Sequence, residues 1–121
     1  MVKLIATAPV LAAPDVAATA SWYAERLGFQ PDPFPDVPPY SFAILNRDGV
    51  EIMLRRCRPA FRIENDWDVY VRMEGVAEFF ESLRGRVPIV QPLTKKEYGC
   101  LEFAVEDPNG FRLVFSQKVD V

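Results

Sequence analysis

Two stretches of this chain share one pattern, an apolar run on each side of a polar turn. Phe42-Ala43-Ile44-Leu45 leads through Asn46-Arg47-Asp48-Gly49 into Val50-Glu51-Ile52-Met53-Leu54. Leu101 to Val105 leads through Glu106-Asp107-Pro108-Asn109-Gly110 into Phe111-Arg112-Leu113-Val114-Phe115. Each predicts a β-hairpin, with Pro108 fixing its own φ and Asn109 and Gly110 accepting the positive φ of a tight turn. Gly110 follows Gly49 by 61 residues, about half of the 121-residue chain. The sequence therefore reads as one unit written twice.

The rest of each half fits that repeat. Lys3 to Leu11 predicts a first strand, with Pro9 tolerable at an edge or end. Asp15 is placed to N-cap a helix whose Val16, Ala20, Tyr23 and Leu27 share one face and which Gly28 ends. Gln30 to Pro39 carries Pro31, Pro33, Pro35, Pro38 and Pro39. That excludes a helix and leaves either a stiff extended loop or a short strand followed by a loop. Tyr40 to Arg55 is the first hairpin, and Arg56 to Asn65, with Pro59, is a polar connector. In the second half Trp67 to Met73 predicts a strand and Gly75 to Arg84 a helix with the stripe Val76, Phe79, Phe80 and Leu83. Val87 to Val90 predicts a short strand, and Pro92 to Gly99 a charged loop whose Lys95, Lys96 and Glu97 read as solvated surface. Each half is thus β-α-β-β-β. The strands carry bulky residues on both faces, so one face takes the helix and the other lines a cleft or is covered. The expected class is α+β: two βαβββ modules, about 1–58 and about 66–121 of one domain, forming curved mixed sheets with helices outside and a concave ligand cleft.

Composition narrows the chemistry. No apolar run approaches the ~18 residues of a membrane span. The start, Met1-Val2-Lys3-Leu4-Ile5-Ala6, meets Pro9 and Pro14 too early for a secretory h-region, so the expected compartment is the cytoplasm. Cys57 and Cys100 belong to no paired motif and read as reduced, partly buried thiols. A net charge of −3 with no Lys/Arg-rich tract argues against nucleic acid, which needs a basic face. It suits a cationic or neutral small molecule. The chain has no histidine, which removes the commonest metal ligand and the usual general base, and with it the serine and cysteine triads.

Three stretches together resemble a known family. Asp15-Val16, Trp22-Tyr23 and Leu27-Gly28-Phe29 resemble the first-helix signature of the vicinal oxygen chelate superfamily, which includes glyoxalase I, extradiol dioxygenases, and fosfomycin- and bleomycin-resistance proteins. Asp48-Gly49-Val50-Glu51-Ile52-Met53-Leu54 is similar to its first-module hairpin, and Asp107-Pro108-Asn109-Gly110 with the strand after it to the second. The resemblance implies that the enzymes of the family hold a divalent metal on the first and last strand of each module, mostly with His and Glu. Those places fall near Ala8 and Asp68, and on Met53 and Val114. Three of the four offer no donor for a hard cation. The resemblance is therefore to the metal-free, drug-sequestering branch typified by bleomycin-resistance proteins. It implies no metal and no cofactor, a homodimer often with exchanged modules, and ligand clefts between subunits.

If Met53, Asp68 and Val114 face the cleft, strand periodicity puts Glu51, Arg55, Tyr70, Arg72, Arg112 and Ser116 on the same side. The opposite parity, Ile52 with Leu54 and Leu113 with Phe115, is apolar and suits the helices. Trp67 and Tyr70 are either ligand-stacking rings or core and interface aromatics. Glu51 and Asp68 are either sites for a cation or members of Arg–carboxylate pairs with Arg55, Arg72 or Arg112. Phe34, Tyr40 and Tyr98 either cap the cleft or anchor their loops. Trp22 and Tyr23 read as helix packing. Three functions compete. The first is a protein that sequesters a planar or cationic molecule, such as an antibiotic, without chemistry. The second is an isomerase, lyase or dioxygenase-like enzyme with Glu51 or Asp68 as base and Arg55 or Arg112 holding a carboxylate substrate. The third is an accessory module working through its dimer surface.

Overall fold

The structure is a computed structural model that describes residues 1–58 and 67–119. The chain divides into two compact units, Met1–Ala60 and Phe61–Val121. The first holds β1 (Val10–Ala12), α1 (Val16–Leu27), β2 (Gln30–Phe34), β3 (Phe42–Arg47) and β4 (Val50–Arg55). The second holds β5 (Val69–Arg72), α2 (Val76–Leu83), β6 (Ile89–Lys95), β7 (Cys100–Glu106) and β8 (Arg112–Lys118). Both are βαβββ modules of an α+β fold. Their sheets have the same order, β1-β4-β3-β2 and β5-β8-β7-β6. In each, the first strand runs parallel to the last and the remaining pairs are antiparallel.

Local chemistry explains the elements of the first unit. Asp15 accepts from the Ala18 N–H at 3.0 Å and so starts α1. Gly28, at φ 75°, ends it in the left-handed conformation. Val16, Ala20, Tyr23 and Leu27 are buried on α1, as are Ala43, Leu45, Ile52 and Leu54 on the strands it packs against. The hairpin turns at Asp48 and Gly49, both at positive φ, which matches the twist of the strands it joins. Of the two readings of the proline-rich stretch, the strand is the one adopted. Pro31 and Pro33 lie in the edge strand β2, paired with Leu45 and Ala43, where a missing N–H costs least.

The second unit is held by rings. Val76, Phe80 and Leu83 of α2 are buried, each worth about 1.5–3 kcal/mol of apolar burial. Phe79 and Phe80 meet Phe103 edge-on, and Phe79 meets Phe115 at 5.0 Å. The cap of α2 comes from outside the helix: Gln117 Oε1 accepts from the N–H groups of Gly75 and Val76, both at 3.0 Å. In the β7–β8 turn, Asp107 Oδ1 accepts from Asn109 N–H at 2.8 Å and Phe111 N–H at 3.0 Å. Only Gly110 there has positive φ, so Asn109 is not left-handed as expected. The Asp107 side chain closes the turn in its place.

Two strands depart most from the sequence pattern, while β5 covers only Val69–Arg72 of the expected Trp67 to Met73. The first strand covers Val10–Ala12 and not Lys3 to Leu11. Pro9 still accepts from the Met53 N–H at 2.9 Å. It has no N–H for the next rung of a parallel ladder, and pairing stops there. The second departure is β6, which runs on through Pro92 to Lys95 instead of ending at Val90. It is an edge strand, and register shifts between Ile89 and Gln91 and between Gln91 and Thr94 absorb the proline. Cys57 is exposed rather than partly buried, and both cysteines are free. The connector was expected over Arg56 to Asn65; from Pro59 onward it lies outside the described residues.

Candidate functional site

In the second unit the sheet face opposite α2 carries a polar cluster. Parity sends Phe103, Leu113 and Phe115 toward α2, so Glu102, Ser116 and Tyr70 point the other way. Register then brings them together, since Glu102 lies across from Ser116, and Tyr70 from Val114. The Tyr70 hydroxyl is 2.9 Å from both Glu102 Oε2 and Ser116 Oγ. Tyr98, at the tip of the β6–β7 hairpin, donates its hydroxyl to Glu102 Oε1. Glu102 has no exposed surface, and both its side-chain oxygens meet phenol hydroxyls, the arrangement of an acceptor-only carboxylate.

An aromatic surface adjoins this cluster. The Trp67 ring, 49% exposed, tilts against Tyr70 with centroids 5.3 Å apart and planes at 45°. The Arg72 guanidinium lies 5.8 Å from the centroid of the same Tyr70 ring. Both phenols hold their protons more tightly than an ordinary tyrosine. For Tyr98 the main cause is shielding of the hydroxyl from water, followed by the hydrogen bond and charge of Glu102. For Tyr70 shielding again leads; the Ser116 hydrogen bond works against it and Glu102 with it. Tyr98 is 53% exposed as a residue. Its ring lies at the surface while its oxygen is turned inward onto Glu102.

The predicted site residues fall into groups. Trp67, Tyr70 and Tyr98 belong to the cluster just described. Val114 lies beneath it, fully buried and in register with Tyr70 and Ala104. Asp68 precedes β5 and accepts from the Arg112 N–H at 2.9 Å. The Arg112 side chain pairs with Glu106 at 3.4 Å, a partner other than the Glu51 or Asp68 considered from sequence. In the first unit Glu51 and Arg55 are exposed and Met53 half-buried on the β4 face opposite Ile52 and Leu54. Phe34 stacks on Phe42 at 5.3 Å and 21°. Tyr40 lines an open groove of about 520 Å³ with Pro14, Pro39 and Arg56.

Glu102 is the residue that sequence reasoning missed. One signal was available: it is the single charge within Leu101-Glu102-Phe103-Ala104-Val105, and a buried acid needs a reason.

The comparisons with known proteins accord with this architecture. The model of the glyoxalase/bleomycin resistance protein/dioxygenase superfamily matches residues 5–115. The chain belongs to that superfamily. None of the curated protein sequences compared with it matches significantly. Among solved structures it is similar to TioX from Micromonospora sp. ML1, at TM-score 0.76 and 24% identity over 94% of this chain and 100% of that one. It is also similar to the bleomycin-binding protein of Streptomyces verticillus, solved with copper(II)-bleomycin, at TM-score 0.73 and 24% identity over the whole of both chains. A third is the bleomycin resistance determinant encoded on transposon Tn5, at TM-score 0.75 and 23% identity over 95% of this chain and 98% of that one. At these identities the likeness is one of fold.

A divalent metal at the places the superfamily's enzymes use does not fit the residues present. Ala8, Met53 and Val114 bring no oxygen or imidazole, and one Asp68 oxygen is engaged by a backbone N–H. Among the described residues no group of three or more His, Cys, Asp or Glu side chains is arranged to hold a metal ion. Among the same residues no helix is long and apolar enough to cross a membrane.

Proposed function

We propose that this superfamily member binds and sequesters a planar or cationic small molecule, such as a bleomycin-like antibiotic, without chemistry. In this reading one domain of two modules, about 1–58 and about 66–121, acts as a cytoplasmic homodimer in antibiotic resistance. The observation that carries it is the half-exposed Trp67 ring tilted on Tyr70, beside a buried carboxylate. Such a surface offers a stacking platform to a flat ligand and a negative group to a cation, which is affinity without any transition-state demand. Two solved relatives of the same fold, one bleomycin-binding and one a bleomycin resistance determinant, support the ligand class.

The test is tryptophan fluorescence during titration with metal-free bleomycin and other aromatic cationic drugs, with and without Zn²⁺ or Mn²⁺. A saturable change without metal is expected, weakened about tenfold in Trp67→Ala by loss of one aromatic contact. In that variant the affinity is read from the drug's own fluorescence, because Trp22 is then the one tryptophan left. A response that requires metal refutes sequestration in favour of an enzyme of this fold. An undiminished affinity in Trp67→Ala moves the site elsewhere.

A further inference from the structure

Glu102 is fully buried, yet among the described residues its side-chain partners are neutral: the hydroxyls of Tyr70 and Tyr98. Among the described residues no lysine or arginine lies within ion-pair distance of it. Buried carboxylates are ordinarily paired with a cation, because neutral hydrogen bonds only partly offset the loss of hydration. The two hydroxyls that stand in for that cation are not equivalent. Tyr70 belongs to β5 and is also tied to Ser116. Among the described residues Tyr98 has no such second tie. It sits at a hairpin tip closed by Gly99 N–H on Lys96 O and Lys96 N–H on Cys100 O. Its ring is half exposed, and only its oxygen reaches in.

We propose that Glu102 is the seat for a cationic nitrogen of the ligand, an ammonium or amidinium. The Tyr98 hydroxyl occupies that seat in the free protein and gives it up on binding. The proposal rests on the sequestration reading for the flat part of the ligand, which Trp67 takes, and adds which group the protein recognises. An N⁺–H···carboxylate bond is about twice as strong as one from a neutral donor, so a cation displaces the phenol. The turned-out Tyr98 hydroxyl finds water, and its ring and that of Tyr70 present π faces to the charge. The tightly held proton on Tyr98 agrees with this, since the hydroxyl remains a donor to Glu102 at neutral pH.

The experiment compares two flat probes of similar size by fluorescence titration: 9-aminoacridine, a cation at neutral pH, and neutral 9-anthracenemethanol. Each is titrated into wild type, Glu102→Gln and Tyr98→Phe. For 9-aminoacridine, Glu102→Gln should weaken binding about tenfold or more. Tyr98→Phe, which removes the competing donor, should tighten it several-fold. Anthracenemethanol should bind all three alike. Equal affinity of 9-aminoacridine for the three proteins overturns the proposal, as do weaker binding to Tyr98→Phe, its failure to bind that variant, or parallel changes with the neutral probe. Tyr98→Phe alters a half-exposed side chain and decides the matter even if Glu102→Gln folds poorly. Metal-free bleomycin separates the two ideas. If it binds wild type and Glu102→Gln equally, sequestration stands and the seat falls. If it does not bind while 9-aminoacridine behaves as expected, that drug class falls and the seat stands.

Discussion

Removing one oxygen, in Tyr70→Phe, tests whether the buried cluster is as tightly satisfied as its geometry indicates. The Tyr70 hydroxyl lies 2.9 Å from Glu102 Oε2 and 2.9 Å from Ser116 Oγ. Glu102 has no exposed surface and Ser116 is 2% exposed, so water does not replace the hydroxyl without rearrangement. Among the described residues no buried side-chain nitrogen or oxygen lacks a partner. The substitution leaves Glu102 Oε2 without a donor and Ser116 without its phenol. An orphaned buried acceptor costs about 1–3 kcal/mol, and more when charged, so the expected loss is about 3 kcal/mol. Tyr98→Phe should cost only about 1 kcal/mol, because Glu102 Oε1 lies under a half-exposed ring and water can reach it once the hydroxyl is gone. The assay is urea unfolding with linear extrapolation for both variants, together with Glu102→Gln in the wild-type and Tyr70→Phe backgrounds. Tyr70 and Glu102 should couple by about 2 kcal/mol in that cycle. A Tyr70→Phe loss below about 1 kcal/mol, or one equal to that of Tyr98→Phe, would refute the reasoning. It would mean that Glu102 keeps a donor or water which the geometry does not show.

Two further outcomes follow from the same contacts. Gln117→Ala removes the side-chain cap at the start of α2, where Gly75 offers none, and should cost about 1 kcal/mol. Amide exchange should rise in the first turn of α2, and unchanged protection there would show that the cap is dispensable. The raised Tyr98 and Tyr70 pKa values set an alkaline limit. The folded phenols keep their protons where the unfolded chain loses them, near the ordinary value of about 10. Their contribution to stability is therefore complete below about pH 10 and lost as pH rises through the higher folded values. The urea midpoint should fall as pH rises above about 10, and less steeply in Tyr98→Phe. Identical slopes would show that Tyr98 does not report on Glu102.

The hairpins and helices were legible because short-range chemistry decides them: Asp48-Gly49 at a turn, Asp15 and Gly28 at the ends of α1, and four apolar residues on one face. The two strands most misjudged in length depend on neighbours. Pro9 ends pairing only because β1 runs parallel to β4, and Pro92 is harmless only because β6 is an edge. The same distinction governs the site. Period-two alternation placed Tyr70 and Ser116 on one face, and composition drew attention to Trp67 and Tyr98. It did not show that the register of β7 on β8 sets Glu102 against Ser116, or that a residue at a hairpin tip reaches back to it. Parity is a property of one strand, whereas a cluster is a property of three strands and a turn.

The two modules also show where this fold leaves room for function. The β1–β4 register pairs Val10 with Met53, as β5–β8 pairs Tyr70 with Val114. The β3–β4 register pairs Phe42 with Arg55 at the place where β7–β8 pairs Glu102 with Ser116. The corner that in the second module is Tyr70, Glu102 and Ser116 is therefore Val10, Phe42 and Arg55 in the first, with Phe34 stacked on Phe42. One is a buried acid among hydroxyls; the other is an aromatic pair beside an exposed base. The helix-covered faces have not diverged in this way: Ile52 and Leu54 in one module and Leu113 and Phe115 in the other are all buried and apolar. Helix packing constrains one face of each sheet and leaves the chemistry of the other open. On that other face, an acid with no exposed surface and no cation partner among the described residues contributes little that an apolar side chain would not. The proposed cation seat gives its presence a reason that stability does not.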